Sequence, residues 1–155
     1  MSGQIRKKLE ELGLTLPEAV APVANYVPYV TSGRTVTLSG MLPMSGGKPQ
    51  YIGKLGADIS VEDGYQAAQL CGLNMLAHVE NAAGGDLDQV ARVVKLGIFV
   101  NSTADFTDQP KVANGVSDLM VNVFGDAGKH ARFAMGAGQL PFGVAVEVDG
   151  VFEIT

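Results

Sequence analysis

The sequence is short of the side chains on which many metalloproteins and redox enzymes depend. It contains one cysteine, Cys71, and two histidines, His78 and His130, among 155 residues. A single cysteine excludes an intrachain disulfide and a four-thiolate zinc site. Neither His-x-x-His nor Cys-x-x-Cys occurs. The sequence therefore predicts no metal site, and no motif in it indicates a cofactor.

Charge and long apolar runs are also scarce. Charged residues make up 17% of the chain and the net charge is −5, which argues against nucleic acid as a partner. No apolar run approaches the roughly 20 residues that span a membrane, and the N-terminal residues lack the apolar stretch of a signal peptide. We therefore predict a cytoplasmic protein with no membrane partner.

Apolar residues, in contrast, are plentiful. They make up 46% of the chain, which excludes an intrinsically disordered protein. The length suits one domain covering residues 1–155, with an added N-terminal helix at about residues 4–12. Because the chain is rich in apolar residues and poor in charged ones, we also expect another chain to cover part of its surface.

The hydrophobic periodicity predicts two long helices and five or six strands. The helices are expected at 61–83 and 108–124, where apolar residues recur at helical spacing. Strands are expected at 26–31, 35–39, 90–100, 131–137 and 144–154. Because these strands do not alternate one for one with helices, the pattern favours an α+β fold, a mixed sheet with two helices on one face, over a doubly wound sheet.

The segment Val90 to Val100 predicts a strand that is apolar on both faces. Simple alternation assigns Val94, Leu96, Ile98 and Val100 to one face, and Val93, Gly97 and Phe99 to the other. One layer of helices covers only one face, and a strand of this kind must be covered on both. The second face is therefore predicted to pack against sister subunits.

One arginine stands out in a strand that is otherwise poor in charge. In extended chain, His130, Arg132 and Ala134 share a face. Arg132 is either a solvated arginine at the sheet edge or a residue whose planar guanidinium binds a carboxylate through two hydrogen bonds. Glu147 and Asp149, on the polar face of the next strand, are either its neighbours or ordinary solvent-facing acids.

Several short motifs follow one another in a fixed order along residues 26–154. They are Tyr26, Gly33 and Leu38-Ser39-Gly40 with Pro43; Gln66 to Asn74; Lys95 to Val100 followed by Asp105-Phe106; and Ala131-Arg132, Leu140-Pro141 and Val144 to Val148. This ordered set resembles the YjgF/RidA family of small trimeric proteins. The added helix and Lys129-His130-Ala131-Arg132 resemble its longer branch, described as YjgF/chorismate-mutase-like, putative endoribonuclease.

The resemblance implies a fold, an assembly and an activity. The fold is chorismate-mutase-like, the assembly is a homotrimer whose sheets form a central barrel, and the sites lie between subunits. Family members of the deaminase type hydrolyse enamines and imines, such as 2-aminoacrylate, to 2-oxo acids and ammonia without a cofactor. The partner implied is a small carboxylate metabolite.

The resemblance also assigns roles to residues. Arg132 corresponds to the arginine that binds the substrate carboxylate, and Glu147 to the glutamate that orients the hydrolytic water; these two form the catalytic pair. The substrate-binding set is Tyr26, Ser39, Asn114, His130 and Ala134. Asn114 corresponds to the family's asparagine when a small insertion is allowed. Ala134 stands where the family often has cysteine, which excludes a thiol role and retains a backbone carbonyl contact.

Two other functions stay open. One is a trimer without catalysis that binds a small carboxylate metabolite as a sensor or regulator. The other is an endoribonuclease, which the sequence disfavours because it offers no basic patch with aromatic residues for RNA, and His130 is the only histidine near the arginine.

Overall fold

Three α-helices and seven strands form the regular structure of residues 3–155, the part of the chain that this computed structural model describes. The helices are α1 (Gln4–Glu11), α2 (Val61–Ala82) and α3 (Gln109–Phe124). The strands are β1 (Tyr29–Ser32), β2 (Thr35–Met41), β3 (Met44–Ser45), β4 (Lys48–Pro49), β5 (Val90–Asn101), β6 (Ala131–Ala137) and β7 (Val146–Ile154).

Five of the strands form one mixed sheet in the order β1-β2-β7-β5-β6, while β3 and β4 form a separate hairpin. β5 and β6 are parallel, and the other pairs in the sheet are antiparallel. Parallel neighbours need a crossover connection, and α3 supplies it. The predicted α+β architecture with a mixed sheet is confirmed, and β6, the strand that carries Arg132, lies at the sheet edge.

Both long helices cover the same face of the sheet. α2 contacts β7 and β2, and α3 contacts β5 and β6. The two helices approach so closely that a Cβ atom at Gly115 would overlap the backbone carbonyl oxygen of Tyr65. Facing these helices are fully buried side chains on β5 and β7: Leu96, Ile98, Val100, Val146, Val148 and Phe152. This core leaves the opposite face of the sheet open in a single chain.

β5 departs from the predicted alternation at its N-terminal end. Its register with β7 shifts between Val93 and Lys95, so Val93 points into the core and Val94 is 41% exposed. The predicted faces of Val93 and Val94 are therefore wrong, because a β-bulge inserts an extra residue and reverses the alternation before it. From Leu96 onward the predicted faces are correct.

Helix α1 is held at its N-terminus by an acid from a short 3-10 helix, Leu87–Gln89, directly before β5. The carboxylate of Asp88 accepts hydrogen bonds from the backbone N–H groups of Gly3, Gln4 and Ile5 at 3.0, 3.0 and 2.8 Å. These bonds, led by that from Ile5, lower the pKa of Asp88.

Within residues 3–155, no helix has both the length and the apolar character needed to cross a membrane.

Candidate functional site

The side chain of Arg132 lies on the helix-covered side of the edge strand and reaches across to α3. Arg132 stands next to Leu96 in the parallel pair of strands. Its Nη1 donates to Asn114 Oδ1 at 3.0 Å and to Ser117 Oγ at 2.9 Å, and Nη2 lies 3.5 Å from the carbonyl oxygen of Pro110. Three groups of one helix thus orient the guanidinium, although the residue itself remains exposed.

His130 extends this set of contacts by one step. Its Nδ1 lies 2.6 Å from the carbonyl oxygen of Gly128, and its Nε2 lies 2.9 Å from Ser117 Oγ. A carbonyl oxygen only accepts, so Nδ1 carries the proton and, in the neutral ring, Nε2 accepts from the Ser117 hydroxyl. We call Arg132, Asn114, Ser117 and His130 the arginine cluster.

Glu147 lies on the other, open face of the sheet, next to Phe99 on the neighbouring strand β5. It borders a cleft of about 490 Å³, lined by Gly40, Phe99, Ala137, Gln139, Leu140, Pro141, Glu147 and Asp149. Burial raises the pKa of Glu147, and the nearby charge of Asp149 raises it further. We call this cavity the acidic cleft. A carboxylate with a raised pKa is suited to exchanging a proton with water near neutral pH.

A buried amide fixes the loop that forms one wall of the acidic cleft. Asn101 is 1% exposed, and its Nδ2 donates to Gln139 Oε1 at 3.2 Å and to the Val144 carbonyl oxygen at 3.1 Å. Lys54 Nζ donates to Asn101 Oδ1 at 2.7 Å and also to the carbonyl oxygen of Gly138. These bonds tie residues 138–144 to the end of β5, so the wall of the cleft is firmly placed.

The structure therefore divides the predicted site residues into two groups. Arg132, Asn114 and His130 lie together, and Ala134 follows Arg132 on the same side of β6. Glu147 lies on the opposite face of the sheet, so one chain does not bring the two predicted catalytic residues together.

Tyr26 and Ser39 lie at the N-terminal hairpin, apart from the arginine cluster. Tyr26 is 58% exposed. Ser39 immediately precedes Gly40, which lines the acidic cleft, but its hydroxyl donates to the Val27 carbonyl oxygen at 2.7 Å. Ser39 is therefore placed beside the acidic cleft with its hydroxyl already bonded.

Ser117 is the member of the arginine cluster that sequence reasoning missed. It lies one helical turn after Asn114, and residues three apart share a side of a helix. Two polar residues at this spacing were the available signal, although α3 also carries Lys111 and Asp118, whose contacts lie elsewhere. Asn101 and Gln139 were also missed, because nothing in the sequence pairs two amides that are far apart in the chain.

A family model described as YjgF/chorismate_mutase-like, putative endoribonuclease, matches residues 6–150. The match covers nearly the whole chain and agrees with the mixed α+β fold. The chain belongs to this family, which confirms the resemblance drawn from the ordered motifs.

Individual relatives match almost the whole chain. Protein TCP17 of Trypanosoma cruzi is 50% identical over 154 residues, covering 99% of this chain and 96% of that protein. The crystal structure of Atu1372 from Agrobacterium tumefaciens, a protein described as of unknown function, matches with 46% identity and a TM-score of 0.92, covering 97% of this chain and 92% of that one. A putative endoribonuclease from Shewanella oneidensis MR-1 matches with 34% identity and a TM-score of 0.92, covering 97% and 99%.

Proposed function

We propose that the protein hydrolyses small carboxylate-bearing enamines and imines to 2-oxo acids and ammonia, in sites shared between the subunits of a homotrimer. The observation that carries the proposal is the guanidinium of Arg132, held by α3 through Asn114 and Ser117. A guanidinium held in a fixed orientation can donate two parallel hydrogen bonds to the two oxygens of a planar carboxylate. Family membership adds the expectation that this carboxylate belongs to an enamine or imine.

Arg132 would hold the substrate rather than react with it. Both N–H bonds of Nη1 point to acceptors on α3, and Nη2 donates to the Pro110 carbonyl oxygen, which leaves Nε–H and the second N–H of Nη2 to face a ligand. Within residues 3–155, Nε donates to no protein acceptor. A carboxylate bound there would fix the neighbouring imine carbon, and such orientation can lower the barrier by several kcal/mol.

Glu147 would supply the water. The enamine 2-aminoacrylate takes up a proton at its methylene carbon and becomes the iminium form of 2-iminopropionate. A water held by Glu147 then adds to the iminium carbon: the C–O bond forms, the C=N π electrons move to nitrogen, and one water proton passes to the Glu147 carboxylate. Glu147 returns this proton to the amino nitrogen of the carbinolamine, the C–N bond breaks with its electrons going to ammonia, and the hydroxyl proton is released to solvent as the C=O bond of pyruvate forms. The raised pKa of Glu147 suits this exchange.

The separation of Arg132 from Glu147 supports a shared site. Each chain offers an arginine cluster at its edge strand and an acidic cleft on its open sheet face, so the two halves must come from neighbouring chains to meet. The open face also carries the apolar side chains of Phe99 and Met135, and Met135 is 49% exposed. Packing these faces around a threefold axis would give a central barrel and bury them.

The experiment is an assay of 2-aminoacrylate released in situ by a dehydratase acting on serine, with pyruvate formed above the spontaneous rate as the readout. We expect Arg132→Ala to lower kcat/KM about 100-fold, the order expected when a charged binding partner is removed. Arg6→Ala is the matched control, because Arg6 pairs with Glu80 elsewhere at 2.8 Å. Normal turnover by Arg132→Ala would contradict the proposal.

A second candidate is a carboxylate-binding trimer without catalysis. It is favoured by one observation: Asn114, Ser117 and Pro110 orient Arg132 without any contact to Glu147, so carboxylate binding there does not depend on the group that would activate water. Tight binding of pyruvate, with no hydrolysis above background by the purified wild type, would select this function.

The endoribonuclease function named in the family's description finds less support at the site. His130 would be its acid or base, yet both ring nitrogens are engaged, by Ser117 and Gly128. RNA cleavage that survives purification and disappears in His130→Ala would select this function instead.

A further inference from the structure

We infer that Ser117 and His130 are positioning residues: the tautomer of His130 sets the direction of the Ser117 hydroxyl, which holds Arg132 in its carboxylate-binding orientation. This inference rests on the proposed function for its consequence in binding, but its geometric content concerns the free protein. It assigns a role to a serine that no sequence motif identified and gives His130 a task other than contacting substrate.

The direction of each hydrogen bond follows from the one before it. The carbonyl oxygen of Gly128 fixes the proton of His130 on Nδ1, 2.6 Å away. Nε2 of the neutral ring is then an acceptor and takes the hydroxyl proton of Ser117 over 2.9 Å. Because its proton is directed at His130, Ser117 Oγ has its lone pairs free on its other side. One lone pair accepts the hydrogen bond that Arg132 Nη1 donates at 2.9 Å.

Without His130, the O–H bond of Ser117 would no longer have a fixed direction. A hydroxyl rotates freely about its C–O bond when nothing accepts its proton, and its O–H dipole can then turn toward the guanidinium. A donor facing a donor is repulsive, so the Arg132 contact would weaken. The backbone carbonyl at Gly128 is therefore the fixed end of a chain of three hydrogen bonds that ends at the arginine.

The chain of bonds also determines which part of Arg132 meets a ligand. Ser117 and Asn114 together take both N–H bonds of Nη1, and Pro110 lies near Nη2. The remaining donors are Nε–H and one N–H of Nη2, which a guanidinium can present side by side along one edge. We expect a single planar carboxylate to bind along this edge, with both its oxygens accepting.

Nitrogen-15 NMR of the Arg132 side chain in the ligand-free wild type tests the positioning role directly. We expect separate, slowly exchanging Nη signals that merge in Ser117→Ala and return in Ser117→Thr, which keeps the hydroxyl. His130→Ala should merge them in part, and the wild-type histidine should show the Nδ1–H tautomer. Unchanged Arg132 signals in Ser117→Ala would overturn the inference, whatever the protein does with substrate.

Pyruvate binding and steady-state kinetics supply the second readout. Loss of one hydrogen bond that orients a charged group should weaken pyruvate binding and raise KM about five- to tenfold, with kcat nearly unchanged. Ser117→Thr should recover most of the loss, and Ser45→Ala, at an exposed serine in the separate hairpin, should bind as the wild type does.

The two readouts separate the two proposals. Absence of pyruvate binding by the wild type would contradict the proposed function, and the NMR spectra would still decide the role of Ser117. Wild-type pyruvate binding that Ser117→Ala leaves unchanged would overturn the positioning role and leave the proposed function standing. A fall in kcat of Ser117→Ala with KM unchanged would also contradict positioning, because it would mean that the serine acts in the chemical step.

Discussion

The arginine cluster and the acidic cleft differ in how far a single chain completes them. Arg132 has partners on α3 for most of its donors, and one of them, Ser117, is itself bonded to His130, which the Gly128 carbonyl oxygen holds. Glu147, in contrast, is desolvated beside another carboxylate, Asp149, and burial raises its pKa. Within residues 3–155 it accepts no hydrogen bond from another side chain.

The difference indicates which part of the site each chain can build alone. The arginine cluster is already ordered for a ligand in one protomer, which favours preorganised binding. The acidic cleft holds a half-buried carboxylate beside a like charge, with no protein donor among residues 3–155 and with its oxygens still within reach of solvent. A water, a substrate or a neighbouring chain would complete it.

The largest effect is expected when two inactive variants are mixed. Arg132→Ala and Glu147→Gln should each lose most activity alone. When the two variants are co-expressed in equal amounts, about a quarter of the shared sites would combine an intact arginine with an intact glutamate from neighbouring subunits. Recovery of about a quarter of wild-type activity supports the shared site, whereas a mixture no more active than its components contradicts it.

Gly40→Ala should have the next largest effect and should act on the acidic cleft alone. A Cβ atom at this position would overlap Glu147 Oε1, so the flexible carboxylate must move aside. A displacement of this kind should lower kcat ten- to a hundredfold while pyruvate binding at Arg132 persists. Gly138→Ala is the matched control, because a Cβ there meets nothing within 4 Å. Equal losses in both variants would contradict the assigned role of Glu147.

The smallest expected effect concerns stability against pH in Glu147→Gln. A carboxyl whose pKa is raised in the folded state destabilises the fold as it ionises. Wild-type stability should therefore decline relative to the variant as pH rises from about 4.3, the ordinary glutamate pKa, through the raised value. Urea unfolding at a series of pH values would measure this. A Glu147→Gln variant that becomes less stable than the wild type with rising pH would show that Glu147 has a cationic partner. The acidic cleft would then be completed within one chain, as the arginine cluster is.

The parts of the fold that depend on local alternation could be predicted from the sequence. The buried side of β7, with Val146, Val148 and Phe152, and the core stripe of α3 both follow from hydrophobic spacing. The bulge in β5 could not be predicted, because the register of Val93 is set by its pairing with Phe152 in a strand far along the chain.

For the candidate site, the sequence named residue types but could not give their arrangement. Arg132 and Glu147 were identified from the sequence, but their positions on opposite faces depend on which side of each strand meets the helices. Ser117 escaped notice because its role requires α3 to cross over β6, a contact that only the parallel pairing of β5 and β6 creates.

The edge position of β6 has a consequence for handling the protein. Its outer side has no strand neighbour in residues 3–155. Its one charged side chain, Arg132, packs against α3 and therefore does not place a charge along the edge that would disfavour pairing with another strand. Unprotected edge strands are templates for uncontrolled pairing and aggregation. Separation of the proposed trimer by dilution or mild denaturant should therefore give precipitate sooner than a long-lived soluble monomer.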